Sequence, residues 1–169
     1  MCPLSRRGPA PPEPGRPRTV EEFRAYTQSW LRPAADADTG TFRVWASDDG
    51  PPTHSVPPHL ASKAAAALGP AAFDRLHTRL LQAYFAESRD ITNLATLASL
   101  WAEAGLPPSA FARVHDPATL QAVLADQAEA LALGLSGCPA VRVADTDLLV
   151  MGAQPLATYR RWVQRLLAA

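Results

Sequence analysis

The chain has 169 residues, 47% of them hydrophobic and 19% charged, which are the proportions of a globular domain with a buried core. Sixteen basic residues balance sixteen acidic ones, so no net field draws the chain to nucleic acid or to an anionic membrane. No apolar run approaches the ~18 residues of a membrane span. The two cysteines, Cys2 and Cys138, are too few for a disulfide framework and wrongly spaced for a zinc site.

Residues 1–18 carry Pro3, Pro9, Pro11, Pro12, Pro14 and Pro17 together with four arginines. Proline lacks an amide donor and disfavours helix at the residue before it, so this stretch is predicted to be an extended or disordered tail. It has no apolar core of the kind a signal peptide needs, and cytoplasmic residence is the expectation. Thr19-Val20-Glu21-Glu22 is a capping box, and Phe23, Tyr26 and Trp30 follow at helical spacing until Pro33. Phe42-Arg43-Val44-Trp45 alternates as a short strand does. Residues 47–58, rich in Asp, Gly, Pro and Ser, read as a loop.

From His59 the pattern turns helical. Ala61 to Leu68 forms an alanine-rich helix ended by Gly69-Pro70, and Phe73, Leu76, Leu80 and Tyr84 mark the buried stripe of the next. A helix from Asn93 to Ala104 turns Leu94, Leu97, Leu100 and Trp101 inward, with Asp90 or Thr92 as cap and Gly105 as stop. Arg89 beside Asp90 is a candidate ion pair. Asp116-Pro117 opens a helix through Leu120, Val123, Leu124 and Leu131 to about Gly134. Ala140–Val143 and Leu148–Met151, joined by residues 144–147, read as a β-hairpin. After Gly152 to Pro155 a final helix carries Leu156, Tyr159, Val163 and Leu166.

Four stretches in this order carry a family likeness. They are Leu81-Gln-Ala-Tyr-Phe-Ala-Glu-Ser-Arg-Asp-Ile91, Ala102-Glu103-Ala104-Gly105-Leu106, Gly134-Leu135-Ser136-Gly137-Cys138-Pro139 and Gly152-Ala153-Gln154-Pro155. The chain resembles the DsbA family of thioredoxin-like proteins, in particular the FrnE-like group of cytoplasmic dithiol-disulfide isomerases. The resemblance implies an α/β, thioredoxin-like domain over residues 19–169, with a helical insertion at about 59–134 and a closing β-β-α unit at about 140–168. It also implies a cis-proline at Pro139, beside which Ser136, Gly137 and Pro139 form a groove for protein or peptide thiols. No cofactor, metal, nucleic acid or membrane partner is implied.

One feature of the family is missing. Members begin with a strand, then a Cys-Pro-x-Cys motif opening a helix, where terminal amides lower a thiol pKa. Cys2-Pro3-Leu4-Ser5 has only a faint likeness to that motif, with serine at the resolving position and a proline-rich stretch after it. The opening β-α-β is therefore read as truncated or degenerate, through gene decay or a misplaced start, and redox activity as reduced or lost. Cys138 and Cys2 are the candidate catalytic residues. Cys138 reads first as a small buried apolar residue and second as a thiol lining the groove. A single thiolate at either cysteine would form mixed disulfides, but no intramolecular two-cysteine cycle is expected.

Two alternatives accompany this reading. One is a non-catalytic peptide- or partner-binding module of the same fold, because a sheet lacking its first strands leaves an unpaired edge. The other is a glutathione-dependent enzyme like the kappa-class transferases and 2-hydroxychromene-2-carboxylate isomerases, with Ser5 in the activating role. His54, His59 and His77 lack the converging partners of a metal site and read as surface or capping residues. Trp101, Trp162, Phe73 and Tyr84 read as core, and Arg160, Arg161 and Arg165 as a solvated face near a helix end.

Overall fold

Thr19 and Glu22 close the capping box in the computed structural model. The Glu22 amide donates to Thr19 Oγ1 at 3.1 Å and the Thr19 amide donates to the Glu22 carboxylate at 3.3 Å. The structure describes residues 17, 19–35, 40–50, 52, 54–135, 137–143, 149–152 and 154–168. The proline-rich tail read over residues 1–18 lies outside these residues apart from Pro17, and so does the connection at 144–147. Among the described residues no helix is long and apolar enough to cross a membrane. The fold is mostly helical, with a two-stranded sheet among the described residues. It divides into two compact units, one formed by Leu4–Leu124 and one that holds Ala125–Ala169.

In the first unit, α1 (Val20–Thr27) tightens into a 3-10 turn at Gln28–Leu31, and a second 3-10 turn follows at Pro33–Ala35. Helix α2 (Val56–Ala66) starts three residues before the predicted onset at His59. Its prolines Pro57 and Pro58 fall in the first turn, where amides have no intrahelical partner and a fixed φ is already helical. Gly69, at φ +117°, turns the chain into α3 (Pro70–Phe85). Ala61, Ala64 and Ala65 of α2 cluster with Leu76, Leu80 and Ala83 of α3. Small side chains on α2 let the helices pack closely. Leu97, Leu100 and Trp101 of α4 (Leu94–Glu103) complete this core with Leu106 and Val114. Val114 lies on a 3-10 segment, Pro108–His115, that has no counterpart in the sequence reading. Trp101 is fully buried and its Nε1–H donates to the Pro107 carbonyl at 2.9 Å, so its one polar atom is satisfied.

A second cluster is aromatic. Phe23, Trp30 and Trp45 are buried against Phe42, Tyr84 and Phe85, with ring centroids 4.8 Å apart for Trp30–Phe85 and 5.1 Å for Phe23–Trp45. Tyr26, read with this stripe, is exposed. Phe73 is half-buried and stacks on His77 at 5.3 Å.

The strand predicted at Phe42–Trp45 is not one. The segment lies outside any strand, only Arg43 of its four residues is exposed, and its amides go elsewhere. Arg43 N–H donates to the Phe85 carbonyl at the end of α3 (2.8 Å), Trp45 N–H to Thr27 Oγ1 (2.9 Å) and Ala46 N–H to Ser88 Oγ (2.9 Å). A helix terminus and two hydroxyls thus take the place of a neighbouring strand. The cap of α4 also differs from expectation. Asn93 Oδ1 accepts from Ala95 and Thr96, whereas Asp90 accepts from the amide and hydroxyl of Thr92 in the preceding turn. Leu94 is exposed instead of inward.

Helix α5 (Pro117–Ala132) carries the chain into the second unit. Leu120, Leu124 and Leu131 are exposed, and Val123, Gln127 and Ala130 are buried. These buried positions keep helical spacing on a face one step away from the leucines. Strands β1 (Ala140–Arg142) and β2 (Leu149–Met151) pair antiparallel, with Val141 opposite Val150. The hairpin is present, with strands a residue shorter than read. Helix α6 (Leu156–Leu167) forms as expected but buries no residue; Leu156, Val163 and Leu166 are exposed.

Candidate functional site

The chain approaches β1 through a helix stop that glycine makes possible. Gly134, at φ +71°, donates to the Leu131 carbonyl at 3.0 Å, and Leu135 N–H reaches back to Ala130 at 3.0 Å. This pair of bonds satisfies carbonyls that the end of α5 leaves open. Residues 137–139 then lead directly into the strand. The Cys138–Pro139 peptide bond is cis. The Pro139 carbonyl accepts from Gly152 N–H at 2.8 Å, which extends the β1–β2 ladder by one rung and fixes the turn to the sheet.

Of the predicted site residues, this turn brings Gly137, Cys138 and Pro139 together at the entrance to β1. Ser136, Cys2 and Ser5 lie outside the described residues. Gly137 is half-buried, and a Cβ added there meets nothing within 4 Å, so packing does not demand the glycine. Cys138 and Pro139 are exposed. The reading of Cys138 as a buried apolar residue is therefore corrected. Its sulfur is disulfide-bonded, and no free cysteine occurs among the described residues. The expectation of a lone thiolate is corrected with it.

The chemistry open to this position follows from its place in the chain. A disulfide at an exposed turn is reachable by an incoming thiolate. Cys138 precedes a strand, not a helix, so the element it leads into offers no row of helix-terminal amides.

The electrostatic cluster of the molecule lies in the helical unit. Arg79 pairs with Glu87 and Glu103, each at 2.6 Å, and Arg89 pairs with Glu103 at 3.0 Å and Glu87 at 3.7 Å. Arg89 therefore does not pair with its neighbour Asp90, whose carboxylate is occupied by Thr92. Burial works to raise the Glu103 pKa, but hydrogen bonds from Ser99, Arg89 and Arg79 outweigh it and hold the carboxyl at about 2. For Arg79 burial likewise opposes the charge, and its bonds to Glu87 and Glu103 still raise its pKa. The cluster ties the end of α3 to the end of α4. Nothing in the sequence spacing announced it, because its members come from α3, the turn after it and α4.

Trp101 is core, Tyr84 belongs to the aromatic cluster and Trp162 is half-buried on α6. Arg160, Arg161 and Arg165 are exposed.

Residues 51–164 match the family model of the DSBA-like thioredoxin domain. Two solved structures are similar over nearly the whole chain. A Nitrosomonas europaea protein, described as a candidate protein disulfide isomerase, superposes with a TM-score of 0.74 at 19% identity, covering 90% of this chain and 78% of its own. The cytosolic disulfide reductase DsbM from Pseudomonas aeruginosa superposes with a TM-score of 0.65 at 26% identity, covering 89% of this chain and 79% of its own. No curated protein sequence matches.

Proposed function

We propose a function from one premise: the chain belongs to the DSBA-like thioredoxin domain family. It is a thiol-disulfide exchange protein of reduced activity, acting through Cys138 on peptide or protein thiols in the cytoplasm. The observation that carries this reading is an exposed, disulfide-bonded Cys138 at the turn that enters β1. Similarity to a solved disulfide reductase supports the reaction class.

The exchange balances without a cofactor. A substrate thiolate attacks Cys138 Sγ, forming a mixed disulfide and releasing the other cysteine of the bond as a thiolate. A second substrate thiolate then attacks the substrate sulfur of that mixed disulfide. The substrate leaves oxidised, and Cys138 leaves as a thiolate. Two electrons pass from substrate to protein. Low activity follows from the missing Cys-x-x-Cys, because a thiolate without helix-terminal amides leaves and re-forms poorly near neutral pH.

Insulin reduction driven by dithiothreitol tests the proposal. Turnover should be at least about tenfold below that of a Cys-x-x-Cys thioredoxin and should vanish in Cys138→Ser. Turnover that survives Cys138→Ser, or a wild-type rate equal to dithiothreitol alone, would overturn it.

A further inference from the structure

The disulfide at Cys138 needs a second sulfur, and the composition of the chain says which one it is. Disulfides join cysteine sulfurs, and the chain holds two cysteines, Cys2 and Cys138. Cys138 is disulfide-bonded within a single chain, which leaves Cys2 as its partner. We propose that Cys2 and Cys138 form one redox pair, with Cys2 as the resolving cysteine of the exchange at Cys138. This replaces the expectation that no two-cysteine cycle closes within the chain. The pairing stands on the bond at Cys138 and the cysteine count, whereas the resolving role rests on the exchange function proposed above.

Exposure and sequence charge divide the work between the two sulfurs. Cys138 is exposed at the turn into β1, so it is the sulfur that an incoming thiolate reaches. Cys2 belongs to the stretch of residues 1–18, which carries Arg6, Arg7, Arg16 and Arg18 against the single acid Glu13. Neighbouring positive charge favours a thiolate over a thiol, and the sulfur of lower pKa leaves faster. A substrate thiolate therefore attacks Cys138 Sγ. The substrate–Cys138 bond forms, the Cys2–Cys138 bond breaks, and Cys2 leaves with the electron pair as a thiolate. In the reducing direction the Cys138 thiolate attacks a substrate disulfide and expels one substrate thiolate. Cys2 then attacks Cys138 Sγ of the mixed disulfide, which expels the second and restores the bond. Two electrons pass from the cysteine pair to the substrate.

Thiol counting on the full chain tests the pairing, by mass spectrometry after alkylation with iodoacetamide in guanidinium. The oxidised chain should run as a monomer on a non-reducing gel and take up no label, and the chain treated with dithiothreitol should take up two. Glutathione buffers read the same bond independently. At a fixed ratio of reduced to oxidised glutathione, raising the total concentration about tenfold should raise the ratio of reduced to oxidised protein about tenfold, because opening an intrachain bond consumes two thiols for each glutathione disulfide made. A mixed disulfide between Cys138 and glutathione would show no such change. That result, a covalent dimer dispersed by Cys138→Ser, or one label on the oxidised chain would overturn the pairing.

The resolving role is read in insulin reduction driven by dithiothreitol. Without Cys2 the mixed disulfide waits for dithiothreitol, so Cys2→Ser should slow turnover about tenfold and accumulate a Cys138–insulin species on non-reducing gels. Cys138→Ser should accumulate none. Wild-type turnover in Cys2→Ser, or no trapped species, would overturn the resolving role. An oxidised monomer without free thiols that gives no insulin turnover would keep the pairing and remove the exchange function, and the resolving role with it.

Discussion

The two units of this molecule are held in different ways. Up to Leu124 the chain buries leucines, alanines and three tryptophans in two clusters, and its polar atoms are matched across elements. From Ala125 onward Ala130 is the one hydrophobic residue buried among those described, both strands are three residues long, and α6 buries nothing. Burial of apolar area stabilises at roughly 25 cal/mol per Å², so the helical unit carries the stability. The candidate exchange site sits in the other.

The contrast can be broken by substitution, beginning with its strongest case. Trp101→Ala empties a fully buried site and orphans the Pro107 carbonyl, and should cost about 3–5 kcal/mol in urea unfolding. A loss below about 1 kcal/mol would mean that the helical core is not what holds the fold. Thr27→Val keeps the shape but removes the acceptor for the buried Trp45 amide, for an expected cost of about 1–3 kcal/mol. The same measurement checks it, and Thr27→Ser should recover most of the loss.

Glu103 sharpens the comparison through pH. Its folded pKa is depressed from 4.5 to about 2, so its contribution is present above pH 4.5 and is lost as pH falls toward 2. Its side chain is 37% exposed, so solvent screening limits the effect to below about 1 kcal/mol. Glu103→Gln should lower the Tm slightly at pH 7 and match the wild type near pH 2; a constant difference across that window would assign the effect to packing. The smallest change is expected in the second unit. Val163→Ala on α6, with the side chain 54% exposed, should shift stability by less than about 0.5 kcal/mol. A cost near 2 kcal/mol would show that this face is covered after all.

Much of the helical unit is legible from local chemistry. The Thr19–Glu22 box, the glycines at 69 and 105 and the prolines at 70 and 117 act within a few residues of themselves, so their roles can be read in one dimension. The stretch that ends in Cys138-Pro139 was equally visible as a family likeness. Other features depend on partners distant in sequence. The Phe42–Trp45 segment alternates like a strand whether or not a second strand adjoins it, and only the placement of Thr27, Ser88 and the end of α3 made it something else. Which face of α5 turns inward was likewise left open by the sequence, because leucines mark apolarity but not direction.

Sequence by itself thus determined most of the helices, the family and the position of the candidate cysteine, all of which follow from short-range preferences or from ordered motifs. Tertiary structure decided that Cys138 is exposed and disulfide-bonded, that Arg89 turns to Glu103, and that the amides of Arg43 and Trp45 go to the end of α3 and to Thr27. Each of these is a pairing between groups far apart in the chain. Burial and partnership are properties of the surroundings, and those exist only once the chain has folded.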